Sequence, residues 1–403
     1  VSFALLTIQS AILLTVANGK HVNLLSIYLV FTLIFFSLVP WLHHSNSTTI
    51  WRASVLLDTT YLFVNLLLFL ANIIVLTCYM MAPPSKFLKK IISPEPKSTS
   101  LLRNRQRMYV LFVLALMGTL GVLYTNEFSI SDIVFRGLLD EVRDNVIQSS
   151  ALSLIIDKTT RLAPFFCFLY AITEIKGMIF LKCIFLGLLL FCVFPTGVSR
   201  NLVGMVYIGL VLTVFPFSRH TSLLTSMLAL SIILVFPFLE QFRYFDGISN
   251  LRFVPNPEFF YQGHFDAYEN LASVIENQWT TKGNQLLGVL LFFVPRNYWP
   301  TKPVGSGYEM ATQFGYTFNN ISMPFLGEGY VNFGISGFFV FAMILGWSLG
   351  RLDRSFFPAV STIHDVKYPS TVYFYLFGSL FFILRGDLLS SVAFTLAGLV
   401  VAI

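Results

Sequence analysis

Apolar stretches at 2–18, 24–42, 60–81, 108–125, 161–176, 178–195, 202–217, 221–239, 334–350, 370–386 and 388–403 dominate this chain. Each is long enough, or nearly so, to cross roughly 30 Å of hydrocarbon as a helix. Lipid offers the backbone no hydrogen-bonding partners, so a segment placed there must satisfy its own peptide groups, and an apolar run of this length does so as a helix. Composition agrees. The 403 residues are 56% hydrophobic and 11% charged, against roughly 25% charged in an ordinary soluble domain. The sequence therefore predicts an all-α polytopic membrane protein, one integral membrane domain over 1–403, with about eleven transmembrane helices. The net charge of +6 is gathered in loops, which makes it topological information and not a nucleic-acid footprint.

Orientation follows from the loop 83–107, which carries Lys86, Lys89, Lys90, Lys97, Arg103, Arg105 and Arg107 against Glu95 alone. Basic loops stay on the cytoplasmic side, so this one is expected there. Alternate counting then puts 176–177, 218–220 and 351–367 on the same side. It puts 43–59, 126–160, 196–201, 240–333 and the turn 385–388 on the other, which in a bacterium is the periplasm. No basic leader or cleavage site marks a signal peptide, and both ends fall in apolar runs. Cys78, Cys167, Cys183 and Cys192 lie in apolar runs without CxxC spacing or a neighbouring histidine, and read as packing residues.

Two outer loops carry more than a connection. Within 132–144, Ile133, Val134, Leu138, Leu139 and Val142 recur at helical spacing beside charged residues, which predicts an amphipathic surface helix. The loop 240–333 gathers His264, Arg296, Lys302 and Glu328 with half of the chain's asparagines, and is expected to contain short helices. Its apolar run 286–294 is too short to span and suits an interfacial or re-entrant segment.

The residues fit for chemistry converge on that outer side. Arg200 follows a Pro-Thr-Gly-Val-Ser turn with no acid nearby in sequence, and Arg385 and Asp387 share a tight turn. His264, in GHFDAY with Asp266 and Tyr268, is the only histidine of the large loop and titrates where a general base is useful, although a lone histidine also serves structurally. PRNYWPTKP combines Arg296 and Lys302, suited to phosphate, with Tyr298 and Trp299, which stack on sugars or anchor at an interface. Glu328, in LGEGYVNFG, is an alternative base or a helix cap. Cations that hold a diphosphate and offset the charge on it as it leaves, with a base for an attacking hydroxyl, are what transfer from a lipid-linked pyrophosphoryl sugar requires. The outer loops contain no DxD, HExxH or His/Cys cluster, and no metal or other cofactor is expected, although Asp266 and Glu328 leave a metal open.

On the segments GHFDAY (263–268), PRNYWPTKP (295–303) and LGEGYVNFG (326–334), and more weakly GVSRN (197–201) and RGD (385–387), the chain resembles the Wzy-type O-antigen and capsular repeat-unit polymerases. The resemblance implies a GT-C-like, metal-independent glycosyltransferase of the bacterial inner membrane, acting at its periplasmic face on undecaprenyl-pyrophosphate-linked oligosaccharide. Arg200, Arg296 and Arg385 match the functional outer-loop arginines of that family, which also implies a Wzz-type chain-length regulator as partner. The resulting expectation is pyrophosphate on Arg200, Arg296, Lys302 and Arg385, sugar on Tyr298, Trp299, Asp266 and Tyr268, and His264 or Glu328 as base.

An O-antigen ligase shares this architecture, and a transporter or flippase for the same lipid-linked sugar is the rival from another class. Transporters place ionisable groups at the midplane of broken helices in paired halves, whereas here the midplanes of the expected spans are nearly uncharged. Topology is checked by reporter fusions: a fusion at Glu95 should fluoresce with a cytoplasmic reporter and be silent with a periplasmic phosphatase, and a fusion at Lys282 should do the reverse.

Overall fold

The computed structural model describes residues 1–19, 21–88, 101–135, 151–241, 257–360 and 366–403. Every stretch expected to cross the bilayer falls on a helix, and no strand occurs among the described residues. In chain order the helices are α1 (Ser2–Ala17), α2 (Leu24–Ser45), α3 (Asp58–Met81), α4 (Leu101–Thr125), α5 (Ile130–Val134), α6 (Ala151–Glu174), α7 (Ile179–Cys192), α8 (Arg200–Val214) and α9 (Thr221–Glu240). The large loop carries α10 (Ala267–Glu276), α11 (Asn284–Leu290) and α12 (Ser306–Gln313), after which come α13 (Phe325–Val360), α14 (Tyr368–Arg385) and α15 (Leu388–Ala402). Five helices, α2, α3, most of α4, α9 and α13, are long and apolar enough to cross a membrane unaided, while α1, α7, α8 and α15 are apolar but shorter.

Local sequence accounts for the irregular turns. In α2 a wide π-helical segment, Thr32–Leu38, runs up to Pro40, and in α9 another, Ser231–Val235, runs up to Pro237. Proline lacks the N–H and its ring clashes with the carbonyl four residues back, and widening the preceding turn relieves both without ending the helix. Helix α13 breaks at Phe333 and Gly334, where Gly334 has φ 64. That backbone region is open to glycine at little cost. The GEGYVNFG segment thus has a structural cause: the short piece before Gly334 folds back onto the long piece after it. A Cβ on Gly337 would lie 2.1 Å from the carbonyl oxygen of Gly329.

Among the described residues two large apolar cores form, with a small third cluster around Val289, Phe341 and Leu388. The first gathers α1, α2, α3, α9, α10, α13 and one face of α14, and the second gathers α4, α6, α7, α8, α15 and the other face of α14. Helix α14 therefore reads as hydrophobic all round, as a helix between two cores must. Tyr373, Phe374 and Phe377 point into the first core, while Tyr375 and Phe382 point into the second. The most enclosed candidate span is α2 and the least enclosed is α9.

Polar contacts sort the loops into two ends. At one end, Asp353 of α13 is buried and accepts Leu24 N at 3.0 Å, Tyr79 Oη at 2.8 Å and Tyr373 Oη at 2.6 Å. Ser85 and Arg354 join the 82–88 segment to the same place, and Val22 N donates to the Arg219 carbonyl. At the other end the segments 43–57, 196–200, 257–266 and 385–388 meet. This is the grouping that alternate counting separates. Of the earlier expectations, most of the 132–144 amphipathic helix, Lys89, Lys90, Glu95 and Lys97 lie outside the described residues. The run 286–294 forms only α11 and turns after it.

Helix α14 crosses α8 closely enough that a Cβ on Gly378 would lie 2.4 Å from the Gly204 carbonyl oxygen and the Met205 Cα. Gly378→Val should lower unfolding stability in detergent by about 1–3 kcal/mol or prevent folding. Ile344→Ala, on an exposed face, should change it by less than about 0.5 kcal/mol, with thermal unfolding followed by tryptophan fluorescence as the measurement.

Candidate functional site

Three helices deliver the charged groups of one end to a single place. Arg200 opens α8, Glu240 closes α9 and Arg385 closes α14. Between them lies the turn Gly263–Phe265 that presents His264. Arg200 Nη2 is 2.7 Å from Glu240 Oε2 and 3.0 and 3.2 Å from His264 Nδ1 and Nε2. Glu240 Oε1 is 3.1 Å from His264 Nε2. The Phe259 ring lies under both the imidazole, at 5.1 Å between centroids, and the Arg200 guanidinium, at 5.9 Å.

Hydrogen-bond roles assign the tautomer. A carboxylate only accepts and a guanidinium only donates. Nε2 therefore carries the proton toward Glu240, and Nδ1 is left unprotonated, with Arg200 Nη2 standing over the ring. Burial holds the His264 pKa below its ordinary value of 6.5; the Glu240 hydrogen bond opposes this, and the Arg200 and Arg385 charges reinforce it. The ring is neutral at neutral pH, the form a general base requires.

The backbone beneath His264 is fixed by Arg385, whose Nε donates to the His264 carbonyl at 2.7 Å and whose Nη2 donates to the Gly263 carbonyl at 2.8 Å and to Asp266 Oδ1 at 3.1 Å. Asp266, 1% exposed, also accepts Ser322 Oγ at 2.5 Å, Ser322 N at 3.3 Å and Trp51 Nε1 at 3.0 Å. One turn further on, Glu269 takes the N–H groups of Ile50, Trp51 and Arg52 at 2.8, 2.8 and 3.2 Å. Arg52 in turn pairs with Glu276. The loop after α2 is thereby clamped along α10, and α10 is held under the site.

The sequence candidates divide. Arg200, His264 and Arg385 come together, with Asp266 directly below. Tyr268 does not face a ligand: it is 2% exposed and its hydroxyl donates to Asn65 Oδ1 at 2.9 Å in the apolar core. Asp266 is likewise closed off from sugar by its four donors. Lys302 is buried, with Nζ donating to the carbonyls of Phe292 at 2.5 Å and Val294 at 3.0 Å. Arg296 donates to the Lys302 carbonyl at 2.7 Å. These two cations brace the PRNYWPTKP loop by capping its own backbone, and burial beside Arg296 pulls the Lys302 ammonium below its usual pKa. Tyr298 is 85% exposed and Trp299 is half-buried, which leaves both accessible. Glu328, 1% exposed, accepts Ser306 Oγ at 2.7 Å and Leu388 N at 3.0 Å, while Asp387 accepts Leu389 N at 2.7 Å. The two acids cap the N-terminus of α15, where unpaired N–H groups and the helix dipole favour a carboxylate.

Sequence reasoning gave no role to Glu240, Trp51, Ser322 or Glu269. Glu240 carried a readable signal, being an acid set directly at the end of an apolar run, where an ionisable group is costly unless it has a partner. Among the described residues no group of three or more His, Cys, Asp and Glu side chains is placed to hold a metal ion. Comparison of the chain with known families, with curated proteins and with solved structures finds no match in any of the three.

Carbon-13 histidine NMR should give His264 a titration midpoint below 6.5. Arg200→Ala, which removes a repelling charge, should raise that midpoint, and Glu240→Gln, which removes the supporting anion, should lower it.

Proposed function

We propose that the chain is a polytopic membrane glycosyltransferase that polymerises undecaprenyl-pyrophosphate-linked oligosaccharide repeat units into O-antigen or capsular polysaccharide, at the periplasmic face of the bacterial inner membrane. The observation that carries this reading is the convergence of Arg200, His264 and Glu240, distant in sequence, on one end of an apolar helical bundle. A cation there suits a diphosphate, and a neutral imidazole beside it suits a hydroxyl proton. The grouping of loops into two ends, with the basic 82–88 segment opposite the site, supports the crossing count of about eleven.

In the proposed reaction the growing chain arrives on its lipid carrier as donor. The acceptor is a hydroxyl at the non-reducing end of a new lipid-linked repeat. His264 Nδ1 takes the proton of that hydroxyl, and the freed oxygen pair forms the bond to the anomeric carbon of the donor. The bond from that carbon to the diphosphate oxygen breaks, and its electron pair leaves with the polyprenyl diphosphate, whose charge Arg200 offsets. Arg385 positions His264 through its carbonyl and adds positive potential. Tyr298 and Trp299, exposed beside the PRNYWPTKP loop, offer ring faces for sugar stacking, while Arg296 and Lys302 shape that loop. A regulator of chain length is the partner this reading implies.

The test is the length distribution of surface glycan in a deletion strain complemented with wild type, Arg200→Ala or His264→Ala at equal protein level. Wild type should restore a ladder, and each variant should leave single repeats, with turnover down about a hundredfold or more for Arg200→Ala. Full-length polymer stranded on its carrier in the deletion would identify a ligase instead. Repeats trapped on the cytoplasmic side would identify a flippase.

A further inference from the structure

Glu240 divides its carboxylate between both members of the site. Oε2 lies 2.7 Å from Arg200 Nη2 and Oε1 lies 3.1 Å from His264 Nε2. The same Arg200 Nη2 stands 3.0 Å from His264 Nδ1. The group suited to an incoming anion therefore already holds one, and a guanidinium stands over the ring of the group suited to a proton, 3.0 Å from Nδ1 and 3.2 Å from Nε2. All three side chains are largely shielded, at 21% exposure for Arg200, 15% for Glu240 and 17% for His264. Their contacts are correspondingly stronger than those of surface pairs.

We propose that Glu240 is a resident counter-ion that the substrate's diphosphate displaces from Arg200, and that this displacement lifts Arg200 off His264 Nδ1, so that the base opens only when a diphosphate is bound. The inference rests on the functional reading above and adds the order of events within it.

The exchange is physically favourable in sign at each step. A diphosphate carries more charge than a carboxylate and offers oxygens to both arms of a guanidinium. Arg200 moves from one anion to another and is never left buried without a partner, which would be the costly alternative. Glu240 keeps its bond to Nε2–H throughout. When Nδ1 then takes the acceptor proton, the resulting imidazolium has Glu240 as its counter-ion and no longer has a guanidinium against it. Among the described residues, Arg385 and Asp266 are paired with each other at 3.1 Å and take no part in the exchange. Glu240 is a positioning residue in this scheme: it touches neither the anomeric carbon nor the acceptor hydroxyl. Its effect is that a proton acceptor is not exposed to water or to an acceptor sugar before a leaving group is in place.

The experiment uses the full chain in lipid nanodiscs, with inorganic pyrophosphate as the probe. Affinity is read by calorimetry, and the openness of His264 by its rate of modification with diethyl pyrocarbonate, followed by peptide mass spectrometry. Saturating pyrophosphate should speed modification of wild-type His264 about fivefold or more, the reverse of the protection expected from simple shielding. Glu240→Gln should bind pyrophosphate about fivefold more tightly, because the competitor is gone. The same variant should lose turnover by about a hundredfold, because the imidazolium is no longer supported. A purely structural Glu240 would weaken both together. Pyrophosphate that binds without speeding His264 modification overturns the exchange and leaves the functional reading standing. Pyrophosphate that fails to bind overturns both. The wild-type measurement needs no variant, so it decides the matter even where Glu240→Gln does not fold.

Discussion

A single carboxylate shut away from water, that of Asp266, ties the site end of this protein together. It accepts from Arg385 at the end of α14, from Trp51 after α2 and from Ser322 before α13, while its own backbone starts α10. A buried charge is tolerated only when fully hydrogen-bonded, and removing one partner of such a pair costs about 3–5 kcal/mol. Satisfying Asp266 therefore forces these segments into register with one another. The position of His264, two residues earlier, follows from that register. The imidazole is placed by a scaffold whose own geometry is overdetermined.

The charge cluster above this scaffold works on a different principle. Asp266 is saturated by donors from fixed backbone and packed rings. Arg200, Glu240 and His264 contact one another through side chains brought together from the ends of two helices and a turn. Contacts of that kind are strong in a shielded place and yet exchangeable, because a ligand can substitute for either ion without leaving the other bare. The contrast between a saturated lower layer and a self-paired upper layer separates what holds the structure from what is available to a ligand. Arg296 and Lys302 fall on the structural side of that line, since their donors end on carbonyls of their own loop.

Much of the architecture was legible in the sequence, because apolar run length is the direct physical requirement for a helix in lipid. The expected stretch beginning at 334 starts at the Gly334 break itself. The site was legible in part: Arg200, His264 and Arg385 were identified as costly charges on one side, and they do converge. Charge alone could not show which cations remain available, since Lys302 and Arg200 look alike until the carbonyls around them are placed. Glu240 was passed over because it closes an apolar helix and belongs to no polar motif, and its partners lie 40 residues back and 24 residues ahead in the chain. Tyr268 was misjudged as a ligand contact because an aromatic beside a histidine gives no indication of which face it turns to the core.

The least enclosed of the long helices, α9, is also the one that ends at Glu240. Its flank is lined by exposed Leu223, Leu230, Ile233, Leu234 and Val235. Under the proposed function, a headgroup carried on a long isoprenoid tail would come to the site by two-dimensional diffusion within the leaflet, its tail remaining among acyl chains while its phosphates ride level with the helix end. No tunnel has to open and no hydrocarbon has to be drawn into water. On that proposal the encounter rate would be set by the surface density of carrier lipid in the membrane and by its fluidity, not by any bulk concentration.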